Sequence, residues 1–127
     1  MTRGTIFLIG PGRREIDLFR RRLEKENFTV VACPAPAHIT RAMRQAQPQA
    51  VLIRDKTPRT QIEAVVGKFH NAPKTRHMPC IIIADDTLPS GLKKMPGIGE
   101  ALRLHEISLA EALRRLRLAI RLSQLAR

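Results

Sequence analysis

The residues best placed to carry chemistry follow three short apolar runs, each typical of a buried parallel strand. The runs are Ile6-Phe7-Leu8-Ile9, Val51-Leu52-Ile53 and Ile81-Ile82-Ile83. In an open parallel sheet, ligands bind in the loops that follow the carboxyl ends of the strands. We therefore expect any site at this edge of the sheet. The loops begin with Gly10-Pro11, Arg54-Asp55 and Ala84-Asp85-Asp86.

Carboxylates at this edge could hold a cation, because Asp55, Asp85 and Asp86 would bring oxygen ligands together. The first loop offers no ligand side chain, and Arg54 places a permanent positive charge beside the carboxylates. A second interpretation is that Arg54 forms an ion pair with Asp85 or Asp86, which would fill the pocket with a fixed internal contact. We favour the ion pair, and so predict a residual acidic pocket without a metal.

The first loop contains Gly10-Pro11-Gly12, which invites comparison with phosphate-binding loops. A dinucleotide-binding loop would need a third glycine where Glu15 stands, and no Lys-Ser or Lys-Thr pair follows for a P-loop. We expect a tight turn. The alternative is an anion bound at the start of the first helix, beside Arg13 and Arg14.

Enzymatic and metal chemistry have no other support in the sequence. The four histidines are scattered and do not pair at helical spacing: His38, His70, His77 and His105. No serine stands in the nucleophile elbow of a hydrolase. We therefore predict a protein that is not an enzyme and that binds no cofactor and no metal.

The length of 127 residues fits one domain, residues 1–127. Cys33 and Cys80 are too few for a disulfide framework, and we expect both to be buried thiols. No leader and no apolar segment of membrane-spanning length is evident, so a cytoplasmic location is predicted.

The charge is strongly positive. Lys and Arg number 23 against 11 Asp and Glu, which gives a net charge of +12. Such a balance attracts polyanions, so nucleic acid is an alternative partner. Tyr and Trp are absent and Phe occurs four times, so the chain lacks a stacking platform for single strands. A solvated basic surface is the simpler interpretation.

Five strands and four helices must position these loops. We predict strands over residues 5–9, 28–33, 50–53, 80–84 and 101–104. We predict helices over residues 13–26, over 39–46 with an end at Pro48, beyond Thr60, and from Ser108 toward Arg127. Thr60 with Glu63, and Ser108 with Glu111, have the spacing of a capping box.

The segment between Asp85 and Glu100 interrupts this alternation. Its prolines and glycines leave room for about one helical turn. They are Pro89, Gly91, Pro96, Gly97 and Gly99. Alternating strands and helices with short connections predict an α/β fold with a doubly wound parallel sheet. We predict the flavodoxin-like strand order 2-1-3-4-5, with a shortened or irregular fourth helix.

The last helix carries two apolar stripes. At about 100° per residue, one stripe faces the sheet and consists of Leu109, Leu113, Leu116 and Ile120. Leu118, Leu122 and Leu125 fall on the opposite face, and the flanking arginines are Arg114, Arg115 and Arg121. An outward apolar row rimmed by arginines is typical of an interface helix. The alternative is that three exposed leucines are simply tolerated.

Over nearly its whole length the sequence resembles the receiver domains of bacterial two-component response regulators, the CheY-like family. The resemblance is carried by the spacing of the three apolar runs, by the segment PKTRHMPCI at residues 73–81, and by Pro58 four residues after Arg54. In receivers, an acidic pair after the first strand and an acid after the third hold Mg²⁺, and the third acid accepts the phosphoryl group. A hydroxyl residue after the fourth strand, with an aromatic residue and a lysine on the fifth, responds to it.

Six of the matching positions carry other residues here. Gly10 and Pro11 stand for the acidic pair, Arg54 for the acceptor, Ala84 for the hydroxyl residue, Leu102 near the aromatic residue and His105 near the lysine. The resemblance therefore implies a degenerate receiver, or pseudo-receiver, whose phosphorylation site is lost.

We therefore predict a phosphorylation-independent interaction or dimerisation module in bacterial signal transduction. Its partner would be another signalling protein or domain, or a second copy, and no membrane is involved. The resemblance implies an interface around the last helix, since receivers commonly use that face. Two alternatives remain: a basic nucleic-acid-binding regulatory module, and a receiver still phosphorylated at Asp55. The chain is expected to be a stand-alone adaptor or the N-terminal module of a longer signalling protein.

Overall fold

The computed structural model describes residues 3–10, 15–33, 37–84, 91, 95–104 and 106–126. The strands are β1 (Gly4–Ile9), β2 (Phe28–Cys33), β3 (Pro48–Arg54), β4 (Cys80–Ala84) and β5 (Ile98–Arg103). The helices are α1 (Glu15–Lys25), α2 (Ala37–Gln45), α3 (Arg59–Asn71) and α4 (Leu109–Leu125). All neighbouring strands pair in parallel, in the order β2-β1-β3-β4-β5. The predicted fold class and strand order are confirmed.

The sheet separates two apolar layers, because successive side chains of a strand point to opposite faces. On one face Ile6 and Leu8 pack with α1 and α4. On the other face Phe7 and Ile9 pack with α2 and α3. Phe7 meets Phe69 of α3 edge-on, with ring centroids 6.3 Å apart. The central strands are covered on both faces, which explains why their sequences are continuously apolar.

The predicted N-cap of the third helix at Thr60 is wrong. The helix α3 begins at Arg59, immediately after Pro58, whose φ is −53°. The carbonyl of Pro58 accepts hydrogen bonds from the amides of Gln61 and Ile62, at 2.9 and 3.0 Å. Thr60 therefore lies within the first turn. The buried stripe of α3 is as predicted and consists of Ile62, Val65, Val66 and Phe69.

Several strand boundaries differ from their predictions, and the two largest differences are at the starts of β5 and β3. β5 starts at Ile98, three residues before the predicted start, and β3 starts at Pro48, which was expected only to end the preceding helix. A proline is tolerated at the first residue of a strand, where no ladder hydrogen bond from its nitrogen is needed. Between β4 and β5, Gly91 and residues 95–97 are described and none is helical. This agrees with an interrupted fourth helix.

The connection from α3 to β4 is held by a buried threonine. Thr75 is 2% exposed, and its hydroxyl donates to the Phe69 carbonyl at 2.6 Å. The amide of Met78 in turn donates to the Thr75 carbonyl at 3.1 Å. These bonds fix the segment that leads into β4, within the stretch that carries the resemblance to receivers.

Both cysteines are buried and free, as predicted. Cys33 ends β2 and Cys80 begins β4, so two strands lie between them. Burial raises the pKa of both thiols, and that of Cys80 to about 12. Within the described ranges, no helix is long and apolar enough to cross a membrane.

Candidate functional site

The carboxyl edge of the sheet brings Gly10, Arg54 and Thr57 together. Gly10 follows β1 with a φ of +102°, and its amide donates to the Cys33 carbonyl at 3.0 Å. A Cβ atom at this position would lie 3.2 Å from the Cβ of Arg54 and would overlap the hydroxyl of Thr57. Both the positive φ and the close approach require glycine. A larger side chain, acidic or not, is therefore disfavoured at position 10.

Thr57 fills the space beside Gly10. Its side chain is 4% exposed, and its amide donates to the Arg54 carbonyl at 3.0 Å, which closes a turn after β3. Within the described part of the chain, its hydroxyl oxygen has no hydrogen-bond partner. No periodic pattern marks Thr57 in the sequence, because a single threonine beyond a strand belongs to neither a helical nor a strand repeat. Its position directly before Pro58 was the one available signal.

Arg54 ends β3 at the same edge, and Asp55 follows it directly. Arg54 lies opposite Ile83 in the ladder with β4, and the Asp55 amide donates to the Ile83 carbonyl at 2.9 Å. Both side chains are half-buried. Asp85 and Asp86 lie outside the described residues, and so does the acidic pocket predicted with them. The ion pair of Arg54 with one of these aspartates stays a prediction.

The described part of this edge supplies few ligands for a cation. Asp55 is the only carboxylate among Gly10 and residues 54–57, whereas Mg²⁺ is held by several oxygen ligands. Over all the residues that the structure describes, no group of three His, Cys, Asp or Glu side chains could hold a metal ion.

The other predicted positions at this edge have structural roles. Ala84 ends β4, is buried, and accepts a hydrogen bond from the Leu104 amide at 2.8 Å. Leu102 lies opposite Ile83 in the ladder and is fully buried in the layer beneath α4. Its side chain therefore belongs to the core. Pro11 and His105 lie outside the described residues.

The outward face of α4 is the second candidate site. Leu113 and Leu116 are buried against the sheet, as predicted, while Leu118, Leu122 and Leu125 are 47%, 57% and 75% exposed. We call these three exposed side chains the leucine stripe. The predicted division of the helix into an inner and an outer apolar face is confirmed.

One side of the leucine stripe borders a groove of about 480 Å³ between α4 and residues 76–81. Arg115 lines it with Leu118 and Leu122. Arg115 is half-buried and pairs with Glu111 at 3.0 Å and with Glu100 at 3.5 Å. It is thus held by the fold, and less available to a partner than predicted.

Glu111 is the main internal partner of the arginines on α4. Its carboxylate accepts two hydrogen bonds from Arg114, at 2.8 and 2.7 Å, and one from Arg115 at 3.0 Å. The hydrogen bonds from Arg114 and then Arg115 lower the pKa of Glu111 from 4.5 to about 2. Its amide donates to the Ser108 hydroxyl at 3.0 Å, which confirms Ser108 as the N-cap.

The other side of the leucine stripe carries a cleft of about 320 Å³, which adds Arg3 and Arg117 to the predicted interface residues Arg114, Leu118 and Arg121. We call it the arginine cleft. It is lined by Arg3, Arg114, Arg117, Leu118 and Arg121. The spacing of residues 114, 117 and 121 along one helical face was a signal for it. Arg3 was not foreseeable, because only the fold brings the residue before β1 to the side of α4.

Comparison with known proteins identifies the fold. The chain is similar to the receiver domain of a sensor histidine kinase from Pseudomonas aeruginosa, whose structure has a magnesium ion coordinated in its active-site cleft. The identity is 16%, 92% of this chain and 97% of that chain are covered, and the TM-score is 0.74. A response regulator receiver domain from Clostridium thermocellum is 17% identical over 98% of this chain and 99% of its own, with a TM-score of 0.74.

A third similar structure is the receiver domain of a signal transduction histidine kinase from Syntrophus aciditrophicus. It is 11% identical, covers 92% of this chain and 89% of its own, and has a TM-score of 0.73. No protein-family model and no curated protein matches the sequence. At these identities the likeness establishes the receiver fold, and the predicted resemblance is confirmed at that level.

Proposed function

We propose that the chain is a pseudo-receiver that serves as a protein-interaction module in signal transduction, without phosphorylation and through the outward face of α4. The observation that carries this proposal is the leucine stripe. Four large apolar side chains are exposed in the described part of the chain, and three of them form this stripe. Covering apolar surface contributes roughly 25 cal/mol per Å² to association. The partner is another signalling protein or domain, or a second copy.

The closed edge of the sheet supports independence from phosphorylation. Phosphoryl transfer to a carboxylate requires a cation to neutralise the charge that develops. Gly10 cannot be extended toward that cation, because Thr57 occupies the space. Ala84 offers no hydroxyl to a phosphoryl group, and Leu102 is committed to the core. These features of Gly10, Ala84 and Leu102 support a chain that works without phosphorylation.

Association through the leucine stripe is tested with two matched variants. Leu122→Asp places a charge in the stripe, whereas Leu18→Asp places one at a comparably exposed leucine on α1, with exposures of 57% and 52%. Sedimentation over a range of concentrations measures self-association, and co-sedimentation measures binding of a partner isolated with the wild-type chain. Leu122→Asp is expected to abolish the complex and Leu18→Asp to preserve it. Equal behaviour of the two variants contradicts the proposal.

Independence from phosphorylation is tested by amide-resolved NMR. Mg²⁺ with beryllofluoride, which mimics a phosphoryl group, is added to the labelled chain. We expect the spectrum to stay unchanged at Asp55, Asp85 and Asp86. Localised shifts there, or labelling by acetyl phosphate that Asp55→Asn abolishes, would instead assign the chain to the phosphorylated receivers.

A further inference from the structure

We propose that the arginine cleft is a binding site for a compact polyanion, and the geometry points to a diphosphate group as the chemistry that it recognises. The site is separate from the carboxyl edge of the sheet, and it shares only Leu118 with the leucine stripe. It consists of four guanidinium groups and one apolar wall, Leu118.

The fold assembles this cleft from distant parts of the chain. Arg3 precedes β1, at the amino edge of the sheet, and its amide donates to the Asn27 carbonyl at 2.7 Å in the turn after α1. Asn27 has a φ of +71°, a conformation that asparagine tolerates better than most residues. The remaining arginines project from successive turns of α4. The backbone of all three elements is therefore fixed before any ligand arrives.

The carboxylates of the fold neutralise the cleft only in part. Arg114 pairs closely with Glu111, at 2.7 Å, and Arg117 approaches Glu26 at 3.8 Å. Arg3 and Arg121 form no ion pair with any residue that the structure describes. Four positive groups thus line one small cavity beside two carboxylates. Like charges that line one cavity repel one another, so an anionic ligand would relieve an existing electrostatic cost.

The type and number of donors select the ligand. All the cations of α4 are arginines, and each guanidinium offers five N–H donors in a planar fork that suits phosphate or carboxylate oxygens. A carboxylate occupies one such fork, whereas a diphosphate presents many charged oxygens in a volume that fits a cleft of about 320 Å³. No aromatic ring lines the cleft, so a nucleobase would gain no stacking contact. The phosphate groups alone are therefore the recognised feature.

A first test needs no ligand. If the arginines repel one another in the free chain, Arg121→Gln should raise the melting temperature by about 1–3 °C, since surface substitutions change stability by a fraction of a kcal/mol. Arg41→Gln is the matched control, because Arg41 is exposed on α2 and forms no ion pair in the described part of the chain. A lower melting temperature for Arg121→Gln, with that of Arg41→Gln unchanged, would show that the arginines of the cleft do not destabilise the free chain by repelling one another.

The binding test is a titration of the full chain with pyrophosphate at constant ionic strength, with chloride as the reference anion, followed by NMR. We expect shifts confined to Arg3, Arg117, Leu118 and Arg121. The double variant Arg3→Gln/Arg121→Gln should bind at least about tenfold more weakly, since charge-assisted hydrogen bonds of 1.5–3 kcal/mol are lost. Arg41→Gln should bind as the wild-type chain does, and ADP should bind within a few-fold of pyrophosphate.

Three results would overturn the proposal. One is pyrophosphate binding with equal affinity to the double variant, which would mean diffuse attraction to the basic surface. Another is an affinity for ADP far above that for pyrophosphate, which would mean that the protein also recognises the nucleoside. The third is no pyrophosphate binding while a DNA duplex or a polyglutamate peptide binds through these arginines. None of these results bears on Leu122→Asp, so the leucine stripe is judged separately.

Discussion

At the scale of single residues, the close approach of Thr57 to Gly10 shapes the carboxyl edge of the sheet. The Thr57 hydroxyl occupies the space into which a side chain at position 10 would extend. Any larger residue at position 10 would therefore meet both a clash and backbone strain.

We predict that Gly10→Ala destabilises the fold by about 1–3 kcal/mol, the usual cost of holding a residue with a Cβ in a glycine conformation. Urea denaturation measures the loss. Gly67→Ala is the control, because a Cβ there meets nothing within 4 Å and alanine is preferred within a helix. It should be neutral or stabilising. In a Thr57→Ala background, Gly10→Ala should cost less, since one of its two causes is removed. Equal losses at Gly10 and Gly67 would contradict this description.

Glu111 gives a pH-dependent prediction. Its folded-state pKa is lowered to about 2 from 4.5, so its contribution to stability is complete above the unfolded value and disappears as the pH falls toward 2. The stability difference between the wild-type chain and Glu111→Gln should be constant above about pH 5 and should close between pH 4.5 and pH 2. Denaturation midpoints along this pH series measure it, with Glu24→Gln as the control for losing one exposed carboxylate. If the stability difference between the two chains does not change with pH, the ion pairs of Glu111 are not its cause.

At the scale of elements, two helices with the same sequence signal begin in different ways. Thr60 with Glu63 and Ser108 with Glu111 have equal spacing, yet only Ser108 is an N-cap. Pro58 explains the difference, because it takes the N-cap position and lets the helix begin at Arg59, one residue before Thr60.

We predict that Ser108→Ala lowers the free energy of unfolding by about 0.5–2 kcal/mol, the typical loss on removing an N-cap. Thr60→Ala should change it by less than about 0.5 kcal/mol, because Thr60 lies on the exposed side of the first turn. Paired thermal or urea melts measure both. A larger loss at Thr60 than at Ser108 would reverse the assignment of the two caps.

The elements also show what the sequence can predict. The apolar runs of β1, β3 and β4 are sufficient to predict these strands from sequence. A strand that is covered on both faces consists almost entirely of apolar residues. The two stripes of α4 follow from helical periodicity alone, and the exposures of Leu116 and Leu122 bear this out. Thr57 and Arg3 could not be found in this way. Each acts through one tertiary contact, with Gly10 or with α4, and a single contact leaves no repeating pattern.

At the scale of the whole molecule, the reactivity of the two cysteines reports on local unfolding of two different parts of the sheet. Cys33 ends the edge strand β2, whereas Cys80 begins β4, which has a neighbour on either side. Only the thiolate reacts, and burial raises the pKa of both thiols.

We predict that an alkylating reagent modifies Cys33 faster than Cys80 in the native chain at neutral pH. Local opening of an edge strand costs less free energy than opening of the sheet interior. Mass spectrometry of the modified chain over time distinguishes the two sites, and Cys33→Ser isolates the slower one. In urea above the unfolding midpoint both should react at similar rates. Faster modification of Cys80 would mean that β4 opens before β2.

The strand order also has a consequence for how the chain is made. The interior strand β1 is the first of the five strands to be synthesised, but its neighbour β3 follows much later, since Ile6 pairs with Ala50. At roughly 5–20 residues per second, the ribosome would add the intervening residues in about 2–9 s. During that interval the most apolar strand of the early chain has only β2 to pair with. The nascent chain is therefore most open to chaperones and to misassociation before β3 emerges.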